Sequence, residues 1–343
     1  MDERLDKIEQ RQQEMVSLVN ELEPILNSLV MNDTAIIEAL GHMLTNLQQM
    51  QARSEQNQTR MAEELEAVGR QLLALNETAS SSKEPIVIGA DQFALENPEI
   101  GLLEYLGSFL GDRVALDVGA HVGRVSERLL KAGCEVYAFE PYLPSFEKLC
   151  HNIDGAPKFH PFPIAIASHD ATMNLHLASA PPGINTDPTL YNSLGEHPME
   201  DLQFIETVPV KVRSLASLRG SREIPNTAGL LKIDAEGFDI EVIRGMGEPN
   251  YAVVMTEFWD PAHRFGQSGK GRLEDLVTEM RGRGYPWHIV IYHLDEDATI
   301  SYYCNRTDTV SGSWGNIIFC REHATFSKAA RWCESVLTPT LHR

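Results

Sequence analysis

From residue 86 onward the chain alternates short apolar runs with amphipathic segments, and no other feature restricts its fold as strongly. The runs are RVALDVG (113–119), EVYAFE (135–140), KFHPFPIAI (158–166), GLLKIDAEG (229–237), YAVVMTEF (251–258), WHIVIYH (287–293) and GNIIFC (315–320). Most are rich in Val, Ile or aromatic residues and read as strands. Between them, VSERLLKAG (125–133), PSFEKLCHN (144–152), GFDIEVIRGM (237–246) and LEDLVTEMRGRG (273–284) read as helices. Strands that alternate with helices predict an α/β fold, a mainly parallel sheet with helices on both faces. Such a sheet binds ligands at the carboxyl ends of its strands. Functional residues are therefore expected at strand-to-helix junctions.

Residues 1–80 follow a different grammar, with almost no glycine and no aromatic residue. Leu5, Ile8, Met15, Val19, Leu22, Leu26, Leu29, Ile36, Leu40, Met43, Leu47 and Met50 fall on one a/d frame. This heptad seam, if continuous, is on the order of 70 Å long at 1.5 Å per residue. Gln12 and Asp33 interrupt it at a positions, and Pro24 should kink or break the helix. The pattern resumes at Met61, Leu65, Val68, Leu72 and Leu75 on a shifted frame, as a stutter or a second helix. A hairpin turning near Asn32-Asp33 is the alternative. Self-association is favoured, because a lone helix pair buries little core. The expected organisation is an α-helical coiled-coil oligomerisation region at 1–80, a linker at 81–85, the sheet domain at 86–322 and a C-terminal tail at 323–343.

The first junction reads Leu116-Asp117-Val118-Gly119-Ala120-His121-Val122-Gly123. Glycines let the backbone approach a ligand, and the N–H groups of the following helix face it. The spacing is G-x-x-x-G, not the G-x-G-x-x-G that suits a pyrophosphate. Asp117 would repel phosphate and suits a cationic or amine-bearing ligand. The second junction, Glu140-Pro141, ends the next strand, where an acid accepts hydrogen bonds from ribose hydroxyls. A Gly-rich turn with an acidic ribose clamp and no phosphate cradle points to S-adenosylmethionine. A nicotinamide-binding domain with a degenerate loop is the competing interpretation.

Residues 86–320 also resemble the FkbM-type class I methyltransferases. DVGAHVG is similar to their cofactor loop, FEP to their ribose-binding turn, and LLKIDAEGFDIEVIRGM (230–246) to their most distinctive segment. The resemblance implies a Rossmann-like class I methyltransferase sheet. It also implies S-adenosylmethionine-dependent methylation, usually on oxygen, of natural products, sugars or glycolipids. The cofactor set it suggests is Asp117, Gly119, Ala120, His121, Gly123, Glu140, Pro141, Ala165 and Asp234. His121 is a departure, since members generally carry Asn there. The coiled-coil region lies outside the resemblance.

Methyl transfer to a hydroxyl needs an in-line approach and a proton acceptor. Asp234 and Glu236 follow the fourth strand, and Glu257 ends the fifth, which this fold places alongside. Neighbouring acids raise one another's pKa, so these three are the candidate catalytic residues. Lys232 shares the facing of Asp234 and is expected to pair with an acid. The competing interpretation is a buried ion-pair network. The acids show no ordered ligand loop, so no metal site is assigned. The segment 178–205 is much longer than most connections, and its stretch 181–198 is expected to act as a lid. Tyr191, Asn192 and Ser193 from it, with Trp259 and His263 after the fifth strand, are the candidate substrate-binding residues; Arg264 nearby suits an anionic group.

Charge narrows the partners. The chain carries 29 basic and 49 acidic residues, a formal net charge of −20, which repels nucleic-acid backbones. No stretch approaches the roughly 20 apolar residues of a membrane span, and MDERLDKIEQ lacks the apolar core of a secretory signal. Five cysteines without a CxxC pair suggest reduced thiols and a cytoplasmic location. The expected function is S-adenosylmethionine-dependent O-methylation of a small-molecule or glycan hydroxyl, by a homo-oligomer joined through its N-terminal helix. A coiled-coil scaffold with a vestigial methyltransferase domain is the rival.

Overall fold

Each of the seven predicted runs contains a strand of the computed structural model, which describes residues 91–179, 187–195, 203–248, 251–266, 271–295 and 298–339. The coiled coil expected at 1–80, the linker at 81–85 and two parts of the 178–205 segment (180–186 and 196–202) lie outside the described residues.

Nine strands form the main sheet. In chain order they are β1 (Val114–Val118), β2 (Glu135–Phe139), β3 (Phe159–Phe162), β7 (Ala228–Ile233), β8 (Tyr251–Trp259), β9 (Trp287–Leu294), β10 (Thr299–Cys304), β11 (Trp314–Cys320) and β12 (Thr338–Pro339). Their spatial order is β3-β2-β1-β7-β8-β11-β9-β10-β12. The five strands from β3 to β8 are parallel, whereas β11 runs antiparallel to both β8 and β9. The sheet is therefore mixed, with its parallel part forming the side that carries the predicted junctions. Between β1 and β7 the strand order reverses. Chains leaving those two strands diverge and open a crevice at their carboxyl ends.

A second sheet of three strands interrupts the alternation. It holds β4 (Ala165–Ile166), β5 (Ala171–Ala178) and β6 (Phe204–Arg213) in the order β4-β6-β5. Its buried residues Leu175, Leu177, Val210 and Val212 form a small core of their own.

The helices are α1 (Gln92–Glu96), α2 (Pro98–Phe109), α3 (Arg124–Lys131), α4 (Leu143–Asn152), α5 (Leu215–Gly220), α6 (Asp239–Gly245), α7 (Leu273–Gly282) and α8 (His323–Val336). Strand periodicity of two sends alternate residues to opposite faces, and two large cores result. From β1, Leu116 and Val118 join one core and Ala115 the other; from β8, Val254 and Phe258 separate likewise from Val253 and Met255.

The C-terminal segment is not a tail within the described residues. In α8, Ala329, Trp332 and Cys333 are buried in the core that α2 supplies with Leu102, Leu103 and Leu106. No helix among the described residues is long and apolar enough to cross a membrane. All five cysteines are free thiols.

Candidate active site

The crevice holds a cavity of about 650 Å³, counted out to its mouth, whose wall includes Gly119, His121, Glu140, Pro141, Ala165, Asn192, Asp234 and Glu236. These eight predicted residues come from five separate stretches of chain, and the fold gathers them at one place.

Gly119 makes the approach possible. Its φ is +72°, and a Cβ there would lie 1.8 Å from the Asp234 carbonyl oxygen. The tips of β1 and β7 touch with no side chain between them. The N–H groups of Gly119 and Ala120 both donate to the Phe139 carbonyl at 3.0 Å, which ties the loop to β2. His121 takes a left-handed φ of +48° and donates its N–H to Glu140 Oε2 at 2.9 Å. Glu140 Oε1 accepts the Tyr142 N–H at 2.8 Å. Two backbone donors thus fix the Glu140 carboxylate. Burial nonetheless pushes its pKa up to about 7, against the lowering effect of those donors and of Lys232.

Asp117 is placed differently from the expectation. It is fully buried and absent from the cavity wall. Its Oδ2 accepts from Ser126 Oγ at 2.6 Å, and its Oδ1 lies 3.2 Å from Lys232 Nζ in an ion pair whose angle is poor for a hydrogen bond. Lys232 Nζ also donates to the carbonyls of Val118 (3.2 Å) and Gly119 (2.7 Å) and lies 3.5 Å from Asp234 Oδ2. Burial alone would lower this ammonium's pKa, but Asp117 and Asp234 outweigh it and hold it above the usual lysine range. The expected pairing of lysine and acid is present, with Asp117 as a second partner. Asp117 and Lys232 therefore brace the loop from below.

Two other cofactor candidates stay off the wall. Ala120 is buried beneath the loop. At Gly123 (φ +93°) a Cβ would meet the ends of Leu149 and Ile153 at 2.7 and 2.8 Å, so its role is close packing of α3 on α4.

The three candidate catalytic acids converge. One carboxylate oxygen each from Asp234, Glu236 and Glu257 lies within 4.8 Å of the others, a spacing that a shared proton or a hard cation would relieve. Glu236 sits at a left-handed φ of +50° in the turn after β7, and Glu257 Oε2 is buried without a hydrogen-bond partner. Burial first, then the neighbouring acids, raises the pKa of both Glu236 and Glu257 well above the carboxylate range, with Lys232 a weaker opposing influence.

The described part of the 178–205 segment reaches the cavity through residues 187–195. The His121 ring nitrogen Nε2 hydrogen-bonds Thr189 Oγ1 at 2.8 Å, and Asn192 Oδ1 accepts the Ala178 N–H at 3.0 Å. Ser193 faces inward to the protein instead, donating its hydroxyl to the Glu236 carbonyl at 2.8 Å. Tyr191 packs edge-on against Phe265, with ring centroids 5.8 Å apart. Trp259 and His263 are buried away from the cavity wall. Trp259 is in fact the last residue of β8 and packs with Ala178 and Phe265, while His263 Nε2 lies 3.4 Å from Asp295 Oδ2. Both rings are thus engaged by protein and offer no free face for stacking. Sequence reasoning missed the apolar wall, Phe139, Ile166, Leu175 and Leu190, and also Thr189. Phe139 and Ile166 lie in strand-like runs, whereas Thr189 and Leu190 lie in the long loop, away from any such run.

Fold and site together define an α/β domain with a cavity where strand order reverses, beside a cluster of acids. Residues 117–286 match the methyltransferase FkbM domain, and this part of the chain belongs to that family. The hexuronic acid methyltransferase AglP of Haloferax volcanii is 27% identical over 135 residues, which cover 39% of this chain and 50% of AglP. The chain thus spans about half the length of this curated relative. Among solved structures, the methyltransferase FkbM of Methylobacillus flagellatus aligns at 15% identity and a TM-score of 0.36, covering 61% of this chain and 43% of that one. The SAM-dependent methyltransferase of Agrobacterium tumefaciens aligns at 8% identity and a TM-score of 0.36, covering 66% and 62%.

Proposed function

We propose that the chain is an S-adenosylmethionine-dependent O-methyltransferase whose acceptor is a hydroxyl of a sugar, a sugar acid, a glycolipid or a natural product. The observation that carries this reading is Glu140, fixed by two backbone N–H groups on the wall of a cavity lined, among the described residues, by no lysine or arginine. Such a wall suits a nucleoside without phosphate. The side chains present fit the cofactor. Glu140 accepts from ribose hydroxyls, Phe139, Ile166 and Leu175 offer an apolar face to a base, and Gly119 lets the tips of β1 and β7 meet at the cavity wall. When bound, the cofactor supplies an activated methyl group on a sulfonium sulfur.

The remaining chemistry belongs to the acids. Asp234, Glu236 and Glu257 sit where an acceptor hydroxyl must give up its proton, and a carboxylate of this cluster takes it. Asn192 and the 187–195 segment border the same space and orient the acceptor. Family membership and the distant likeness to a hexuronic acid methyltransferase support a sugar acid as the first acceptor to try.

Calorimetry with S-adenosylhomocysteine tests the cofactor, and labelled methyl transfer to glucuronic acid, its glycosides and neutral sugars tests the acceptor. Asp234→Asn is expected to keep cofactor binding and lose about 10²–10⁴ in turnover. A wild-type chain that binds neither form of the cofactor sinks the reading and leaves the scaffold alternative.

A further inference from the structure

Asp239 touches none of the cavity, yet it joins the two segments that carry the acids. It is the first residue of α6 and is 2% exposed. Its Oδ2 accepts the Ala235 N–H at 3.3 Å, and Ala235 lies between Asp234 and Glu236. Its Oδ1 accepts the Thr256 hydroxyl at 2.8 Å and the Glu257 N–H at 3.3 Å. The β7–β8 ladder ends at the pair Lys232–Met255. Beyond that pair the two chains separate, and the Asp239 carboxylate replaces the ladder just where the acids begin.

We propose that Asp239 is the positioning residue of this site, a buried carboxylate that sets the spacing of Asp234 and Glu236 against Glu257. Three donors converge on its two oxygens, which only a carboxylate satisfies. An asparagine would turn an N–H toward one of these donors and leave it unpaired. The charge acts in the same place. Asp234 and Glu236 from the turn, Glu257 from β8, Asp239 from α6 and Lys232 from β7 make four acids against one lysine. Burial, then Asp234, raises the pKa of Asp239 itself to about 6, while its three donors pull the other way. Glu236 and Glu257 have no such set of donors among the described residues, and burial with the neighbouring acids raises both well above the carboxylate range.

The proposal rests on the reading that this cluster takes the acceptor's proton, but its test needs neither acceptor nor cofactor. The full chain is titrated by infrared spectroscopy, following the carboxylic-acid stretch of protonated side chains. Glu236→Gln and Glu257→Gln assign the band. In the wild type the band is expected to persist at neutral pH. In Asp239→Asn its midpoint is expected at least one pH unit lower, a tenfold loss of proton affinity, because the charge is gone and a tie is lost with it. Thr256→Val removes one tie, leaves the carboxylate, and is expected to shift the midpoint in the same direction by less. If Asp239→Asn does not fold, Thr256→Val decides alone. An unchanged midpoint in Asp239→Asn overturns the proposal. A shift in Asp239→Asn with none in Thr256→Val also overturns it, since Asp239 is then a charge without a positioning role. Should the shifts occur in a chain that does not bind S-adenosylhomocysteine, the methyltransferase reading fails and the assignment of Asp239 stands.

Discussion

Glu140 and Lys232 are both buried charges, and the protein treats them in opposite ways. Glu140 is raised to about 7, so near neutrality it is part protonated in the free protein. A ribose that donates two hydrogen bonds favours the ionised form. Below pH 7 binding must therefore release a proton, and affinity falls as pH falls. Calorimetric affinity for S-adenosylhomocysteine is expected to drop about tenfold per pH unit below 7 and to level off above it. Glu140→Gln should flatten that profile and weaken binding at pH 8 at least about tenfold, the size of a charge-assisted hydrogen bond. A wild-type profile that stays flat from pH 6 to 8 would remove Glu140 from ligand binding. Lys232 is held charged between Asp117 and Asp234 and is not itself a residue of the cavity wall, which it braces from behind through Gly119 and Asp234. Lys232→Met strands the fully buried Asp117, which costs about 3–5 kcal/mol by urea denaturation. Adding Asp117→Asn should recover part of it, because the two residues form one unit.

Elements explain which parts of the site were legible in the sequence. Strand tips were, because an acid or glycine at the end of an apolar run has one place to go in a parallel sheet. Glu140, Asp234, Glu236 and Glu257 were found that way, and the crevice between β1 and β7 gathers three of them on its wall or edge. Trp259 was misjudged because β8 runs two residues beyond Glu257, which turns a supposed loop residue into core. Asp239 carries no sequence signal of its role, since an acid in the first turn of a helix is ordinarily solvated. The second sheet was missed although β5 alternates, as in Leu175 and Leu177; the turns around it lack the Asn-Gly or Asp-Gly signature of a tight hairpin. The two loop glycines were treated alike, and the structure separates them. A Cβ on Gly119 collides with backbone, whereas one on Gly123 meets the ends of flexible side chains. Gly119→Ala is expected to abolish S-adenosylhomocysteine binding and to lower the melting temperature more than Gly123→Ala, which should retain binding. Equal binding by both variants would mean that the β1 and β7 tips do not need to touch.

At the scale of the whole molecule, the described residues of the sheet domain bury their apolar side chains in two large cores. That makes the heptad seam a separate problem. Between Leu5 and Met50 every d position is apolar, as are all a positions except Gln12 and Asp33. An exposed stripe of that length is a surface that monomers avoid. One chain offers in return only the shorter pattern from Met61 to Leu75, so a second copy would cover the seam more completely. Closed dimers are the commonest arrangement, while Leu and Val at a with Ile, Met and Leu at d do not choose between two and three strands. Residues 1–80 hold 14 acids and 6 bases, so like charges face one another when copies associate. Salt screens that repulsion over about 10 Å at 0.1 M, and assembly should strengthen as salt is added. Light scattering on the full chain at micromolar concentration is expected to give a mass of at least two copies, higher in 0.3 M salt than in 0.02 M. The chain lacking residues 1–80 should give the mass of one, with the same affinity for S-adenosylhomocysteine, since the described residues of the cavity wall run from Val118 to Glu236. A full chain of monomeric mass at both salt concentrations would exclude self-association. The seam would then have to be covered within one chain, by the helical hairpin turning near Asn32 and Asp33.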